Sequence, residues 1–139
     1  MKLYFAAPLF SAAEQNWNAE LAAALRAGGH EVFLPQEQEQ GRDAAGIFRT
    51  DLAGIDEADA LMAIIDGPDP DAGTAWECGY VFGKKPIILV RTDFRFGADT
   101  PYNAMLAESA TVRLDLPLAP MDRVSAEVLD ALTRLGDSP

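Results

Sequence analysis

The chain has 139 residues, 49% of them hydrophobic and 24% charged, with a formal net charge of −11. A single domain of this length buries roughly 68–70% of its unfolded surface without help from disulfides or metals, and one cysteine excludes an internal disulfide and a cysteine-based metal site. The acidity argues against a nucleic-acid binder, which needs a basic surface to replace counterions, and no apolar run approaches the roughly 18 residues of a membrane span. The expectation is a soluble, cytoplasmic protein that acts on a neutral small molecule, with no cofactor or metal, no nucleic acid and no membrane among its partners.

Residues 2–7, K-L-Y-F-A-A, read as a buried strand running into Pro8. Ser11 with Glu14 forms a capping box that opens an alanine- and leucine-rich helix through Arg26, and Gly28-Gly29 stops it. A second short strand over 30–34 gives a tight β-α-β period, the mark of a parallel sheet. Residues 35–44, P-Q-E-Q-E-Q-G-R-D-A, form a polar loop at the carboxyl end of that strand. A second helix is expected over 45–58, with Phe48, Leu52 and Ile55 along one stripe and Asp51 beside it. The third strand covers 60–65 and the third helix 73–83, while a fourth strand over 86–90 is almost wholly aliphatic, as in a sheet covered on both faces. After a polar loop over 91–100, Pro101 suits the first position of a short helix carrying Tyr102, Asn103 and Met105. A fifth strand over 111–114 and an amphipathic helix capped by Asp122 and ending at Leu135 complete the chain. Together these make one α/β domain over 1–139: a doubly wound, five-stranded parallel sheet in the flavodoxin-like order 2-1-3-4-5, with helices on both faces.

In such a sheet, ligands bind beyond the carboxyl ends of the strands, which directs attention to residues 64–80. Asp71 falls at or just before a helix N-terminus and Glu77 in the opening turns, where the macrodipole favours an ionised carboxylate. A carboxylate nucleophile flanked by a second acid is what displacement at an anomeric carbon requires. The plainer alternative makes Asp71 a cap and Glu77 a solvated helix acid. Asp51 is likewise either a surface acid paired with Arg49 or part of a site, and Tyr4 either a core aromatic or a holder for a carboxylate. His30 has no neighbours at metal-ligand spacing, Cys78 fits a small buried residue, and Trp17, Trp76 and the phenylalanines fit the core. Gly67, Gly73 and Gly79 form neither a dinucleotide fingerprint nor a phosphate loop.

Five stretches, Y-F-A-A-P-L-F (4–10), D-L-A-G-I-D-E-A-D (51–59), D-A-G-T-A-W-E-C-G-Y (71–80), G-K-K-P (83–86) and P-Y-N-A-M (101–105), together resemble the nucleoside 2-deoxyribosyltransferase family over nearly the whole chain. The resemblance implies that Glu77 attacks C1′ and forms a deoxyribosyl-enzyme ester, that Tyr4 orients Glu77, and that Asp51 contacts the base and protonates it as it leaves. Asp71 would bind the region of the 5′-hydroxyl, and Phe10 and Trp76 would line the base and sugar pocket. Asn103 and Met105 would complete a neighbouring subunit's site, so a homo-oligomer is implied, a dimer at minimum and a hexamer in the family's usual form. The implied substrates are deoxynucleosides and free nucleobases, with retention by double inversion and slow hydrolysis when water intercepts the ester. Two other functions stand beside transfer. Hydrolases of deoxynucleoside 5′-monophosphates share the superfamily, but they need phosphate donors, typically serines near the position of Asn103; here that position offers an amide, with Ser109 and Thr111 near enough to leave the question open. A non-catalytic nucleoside-binding module on the same fold is the other.

Overall fold

Side-chain alternation along the central strands sets the architecture. In the computed structural model, which describes residues 1–94 and 103–138, the elements run β1 (Lys2–Ala6), α1 (Ala12–Ala27), β2 (Glu31–Phe33), α2 (Ala44–Glu57), β3 (Ala60–Ile64), α3 (Ala72–Val81), β4 (Ile87–Arg91), α4 (Ala104–Ser109), β5 (Val112–Asp115) and α5 (Met121–Gly136). Every strand pair is parallel and the order is β2-β1-β3-β4-β5, as the sequence predicts. Because successive strand residues point to opposite faces, Leu3 and Phe5 enter one core layer with Met62, Ile88, Leu21, Leu25 and Val128, under α1 and α5. Tyr4 and Ala6 enter the other with Leu61, Leu89, Ile55, Cys78 and Val81, under α2 and α3. That alternation decides which face Tyr4 serves. No helix among the described residues is long and apolar enough to cross a membrane.

The helix starts follow local chemistry. Ser11 Oγ accepts the Glu14 N–H at 3.1 Å, Asp43 accepts from Gly46 at 2.8 Å, and Asp71 accepts from the Thr74 N–H at 2.9 Å, each satisfying a donor that the first turn leaves unpaired. Two expected starts differ. Pro120, not Asp122, is the N-cap of α5; the extended Pro120 backbone hands over directly to a helical Met121, so Asp122 sits inside the first turn, where its charge still meets the positive helix end. Asn103 lies outside α4 as its N-cap, accepting from the Met105 N–H at 2.9 Å and the Leu106 N–H at 3.4 Å. The expected loop beyond Phe94 and the expected helix start at Pro101 and Tyr102 lie outside the described residues. β2 stops at Phe33 because Leu34 leads into a 3-10 turn over Pro35–Glu37, and β4 extends one residue to Arg91.

The far end of α2 is fixed by one cation. Lys85 Nζ donates to the carbonyls of Ile55, Asp56 and Ala58 at 2.7, 2.6 and 2.6 Å, three acceptors at the negative end of the helix. One turn before that end, Gly54 meets the Phe33 ring so closely that a Cβ would stand 2.7 Å from it. Only glycine lets α2 approach the sheet here.

Candidate functional site

Tyr4 comes from β1, Asp51 from the middle of α2 and Glu77 from α3. Tyr4 is fully buried and stacks on Phe33, with ring centroids 5.3 Å apart and planes 17° from parallel. Asp51 and Glu77 are half-buried and line one cleft of about 490 Å³ between α2 and α3. Tyr4 Oη, Asp51 Oδ1 and Glu77 Oε2 are buried oxygens without a hydrogen-bond partner of ordinary length among the described residues. Yet the three lie close enough for each to shift another's titration. Unpaired buried oxygens are costly, so the Asp51 and Glu77 oxygens on this cleft, with the Tyr4 hydroxyl close to Glu77, mark a place where polar contacts wait on a ligand.

Electrostatics set the phenol apart from the two carboxyls. Burial pushes Glu77 up to about 7, the nearby Tyr4 hydroxyl pulling against it and the charges of Asp71 and Glu39 adding to it. Burial also pushes Asp51 up to about 7, reinforced by the adjacent Glu39 carboxylate and the charge of Glu77, and opposed by Arg42. Tyr4 is driven upward by burial and then by Glu77, so it stays a neutral phenol able to donate. A neutral phenol donor and two carboxyls poised near neutrality, so that one can be ionised while the other still holds its proton, are the equipment of nucleophilic displacement with acid assistance. Among the described residues no group of histidine, cysteine and acid side chains stands together as a metal site.

The other expected residues divide. Trp76 lines the Glu77 cleft, half exposed and so outside the core. Asp71 is the N-cap of α3, its Oδ2 also accepting from Thr74 Oγ1 at 3.1 Å, and its charge reaches Glu77; serving as the cap does not take it away from Glu77. Phe10 is 76% exposed, in the loop between β1 and α1, and is not among the residues lining the cleft. Asn103 and Met105 border a second cleft, of about 610 Å³, shared with Ala75, Gly79 and Phe82. α3 thus stands between two clefts, and within one chain Asn103 and Met105 are not brought to Glu77. Two contributors escaped the sequence: Glu39, indistinct within Q-E-Q-E-Q, and Phe48, whose helical spacing with Leu52 and Ile55 suggests core but which is 52% exposed on the cleft wall.

A family model described as Nucleoside 2-deoxyribosyltransferase matches residues 3–110. No curated protein sequence matches the chain. Among solved structures, a conserved protein from Enterococcus faecalis V583 superposes with a TM-score of 0.74 at 25% identity, over 94% of this chain and 98% of that one. A 2-deoxyribosyltransferase from Bacillus psychrosaccharolyticus gives 0.71 at 27% identity, over 93% of this chain and 96% of that one. A CMP N-glycosidase from Clostridium botulinum gives 0.67 at 18% identity, over 92% and 98%; at that identity the likeness speaks to the fold alone.

Proposed function

Since the chain belongs to the nucleoside 2-deoxyribosyltransferase family, we propose that it transfers the 2-deoxyribosyl group between bases of 2′-deoxynucleosides through a covalent ester on Glu77. One observation carries this: Asp51 and Glu77, from separate helices, bring unpartnered buried oxygens to a single cleft, and the equally unpartnered Tyr4 hydroxyl from β1 lies close enough to Glu77 to act on it. In the first half-reaction a Glu77 oxygen bonds to C1′ as the C1′–N bond breaks, and the departing base nitrogen takes the Asp51 proton. In the second, a nitrogen of the incoming base displaces Glu77 from C1′ and returns a proton to Asp51, so two inversions give retention. The phenol of Tyr4 donates toward Glu77 and holds the attacking carboxylate in line. Asp71, at the helix start, receives the region of the 5′-hydroxyl, and Trp76 lies on the base and sugar side; Phe10, exposed in the loop after β1, stands outside this cleft and reaches the base only if that loop folds over it. Asn103 and Met105, exposed at the start of α4, complete a neighbour's site in a homo-oligomer.

A free 5′-hydroxyl suits this chain better than a 5′-phosphate. Ser109 Oγ donates to the Leu106 carbonyl at 2.9 Å, and Thr111 Oγ1 accepts the Ile87 N–H at 3.1 Å. The Ser109 proton is committed to the backbone and the Thr111 oxygen is engaged by a backbone N–H, and the acids around Glu77 disfavour a dianion. The test is a donor and acceptor panel. Deoxyinosine with adenine or cytosine is expected to yield the exchanged nucleoside, and Glu77→Ala to remove that activity by orders of magnitude. An unchanged rate in Glu77→Ala would sink the mechanism. Preference for a 5′-monophosphate, with free base and sugar phosphate as sole products, would replace transfer by hydrolysis.

A further inference from the structure

Two large aromatic side chains stand on the cleft wall beside Asp51 and Glu77 with half their surface uncovered, Phe48 at 52% and Trp76 at 51% exposure. They are held as a unit. Their ring centroids lie 5.8 Å apart, edge to face at 64°. One face of the indole lies on Tyr80, with centroids 5.4 Å apart and planes within 9°. Tyr80 is itself fixed, its hydroxyl donating to Asp56 at 2.9 Å and the Lys84 ammonium resting 4.1 Å from its ring centre. So backed, Trp76 leaves half its surface open to a ligand, with little rotamer freedom left to lose on binding. Besides the indole N–H of Trp76, the polar side-chain groups lining the same cleft are the carboxyls of Asp51 and Glu77; apart from the two aromatics the rest of its wall is aliphatic or glycine.

We propose that Phe48 and Trp76 hold the nucleobase by stacking, and that the cleft selects bases by ring area, purines over pyrimidines; this rests on the base-exchange function above. Every base presents a π-face, so a stacking wall is indifferent to whether a ring carries an amino or a carbonyl group. A two-ring base covers more of that wall than a one-ring base and removes more apolar surface from water. The lining supplies carboxyl groups and no amide, hydroxyl or cationic side chain. The same lining repels anionic ligands.

The chain has two tryptophans, so in a Trp17→Phe background emission comes from Trp76 alone. Free adenine, hypoxanthine, cytosine and thymine are titrated against that variant. Adenine and hypoxanthine are expected to quench the emission and to bind within about threefold of each other, and about tenfold more tightly than either pyrimidine. Phe48→Leu is expected to weaken purine binding about fivefold while changing pyrimidine binding far less. Equal affinity for adenine and cytosine, purine binding that leaves Trp76 emission unmoved, or a purine affinity indifferent to Phe48→Leu would each overturn the proposal. Calorimetric comparison of adenine with cytosine on the unmodified protein needs no variant and guards against one that fails to fold. Base binding requires no turnover, so the two ideas fail separately: exchange without purine preference removes the stacking assignment, and purine-selective quenching without exchange removes the transferase function.

Discussion

Glu77 lies between a half-exposed tryptophan and a buried cysteine on α3, so its carboxyl sits where water thins out. Raised from an ordinary 4.5 to about 7, mainly by burial, it still binds a proton in the folded chain at pH values where the unfolded chain has released it. Folding takes up a proton across that window, so this residue's contribution to stability falls as pH rises from about 4.5 to about 7 and then stays low. Glu77→Gln should therefore raise the unfolding free energy near pH 8 by about 1–3 kcal/mol, and the gain should vanish below about pH 4. Urea unfolding at a series of pH values measures it; a gain independent of pH would refute this origin. Tyr4, Asp51 and Glu77 were legible in the sequence because each lies in a short stretch with a recognisable pattern. Glu39 was not, because its approach to Asp51 depends on the path of the loop after the 3-10 turn, which no local spacing records.

At the scale of the element, α2 does the positioning, since it carries both Asp51 and Phe48. Its carboxyl end is held by the three Lys85 hydrogen bonds and its approach to the sheet by the bare Gly54 against Phe33. Lys85→Met leaves three helix-end carbonyls without that donor and should lower stability by about 2 kcal/mol. The expected signature is a lower urea midpoint with an unchanged slope and an unchanged turnover per folded molecule. A midpoint equal to wild type would show the ammonium to be replaceable by water. The starts of α1 and α3 were readable from Ser11 and Asp71, because caps act over three residues. The cap of α5 was misassigned to Asp122, since an acid in the first turn and an acid at the cap both favour a helix N-terminus, and Pro120 gives no side-chain signal. Phe48, Leu52 and Ile55 share a stripe in sequence, but only the structure shows that the stripe passes from core at Ile55 to cleft wall at Phe48.

For the whole molecule, the strand order followed from aliphatic strands alternating with helices, a pattern with few parallel solutions. What the sequence could not supply was α3 standing between two clefts, because the splay of neighbouring helices depends on packing at a distance. The inner face of α3 presses Cys78 wholly out of solvent, and burial, followed by the charge of Glu77, pushes its thiol up to about 12. A thiol so protected reacts with an alkylating reagent only when α3 lifts from the sheet. Cys78 is therefore a built-in clock: its labelling rate times the opening of the segment that carries Glu77. In the folded protein at neutral pH that rate should lie orders of magnitude below that of a free thiol, and a bound deoxynucleoside should slow it further, because a ligand of the closed form draws molecules from the open one.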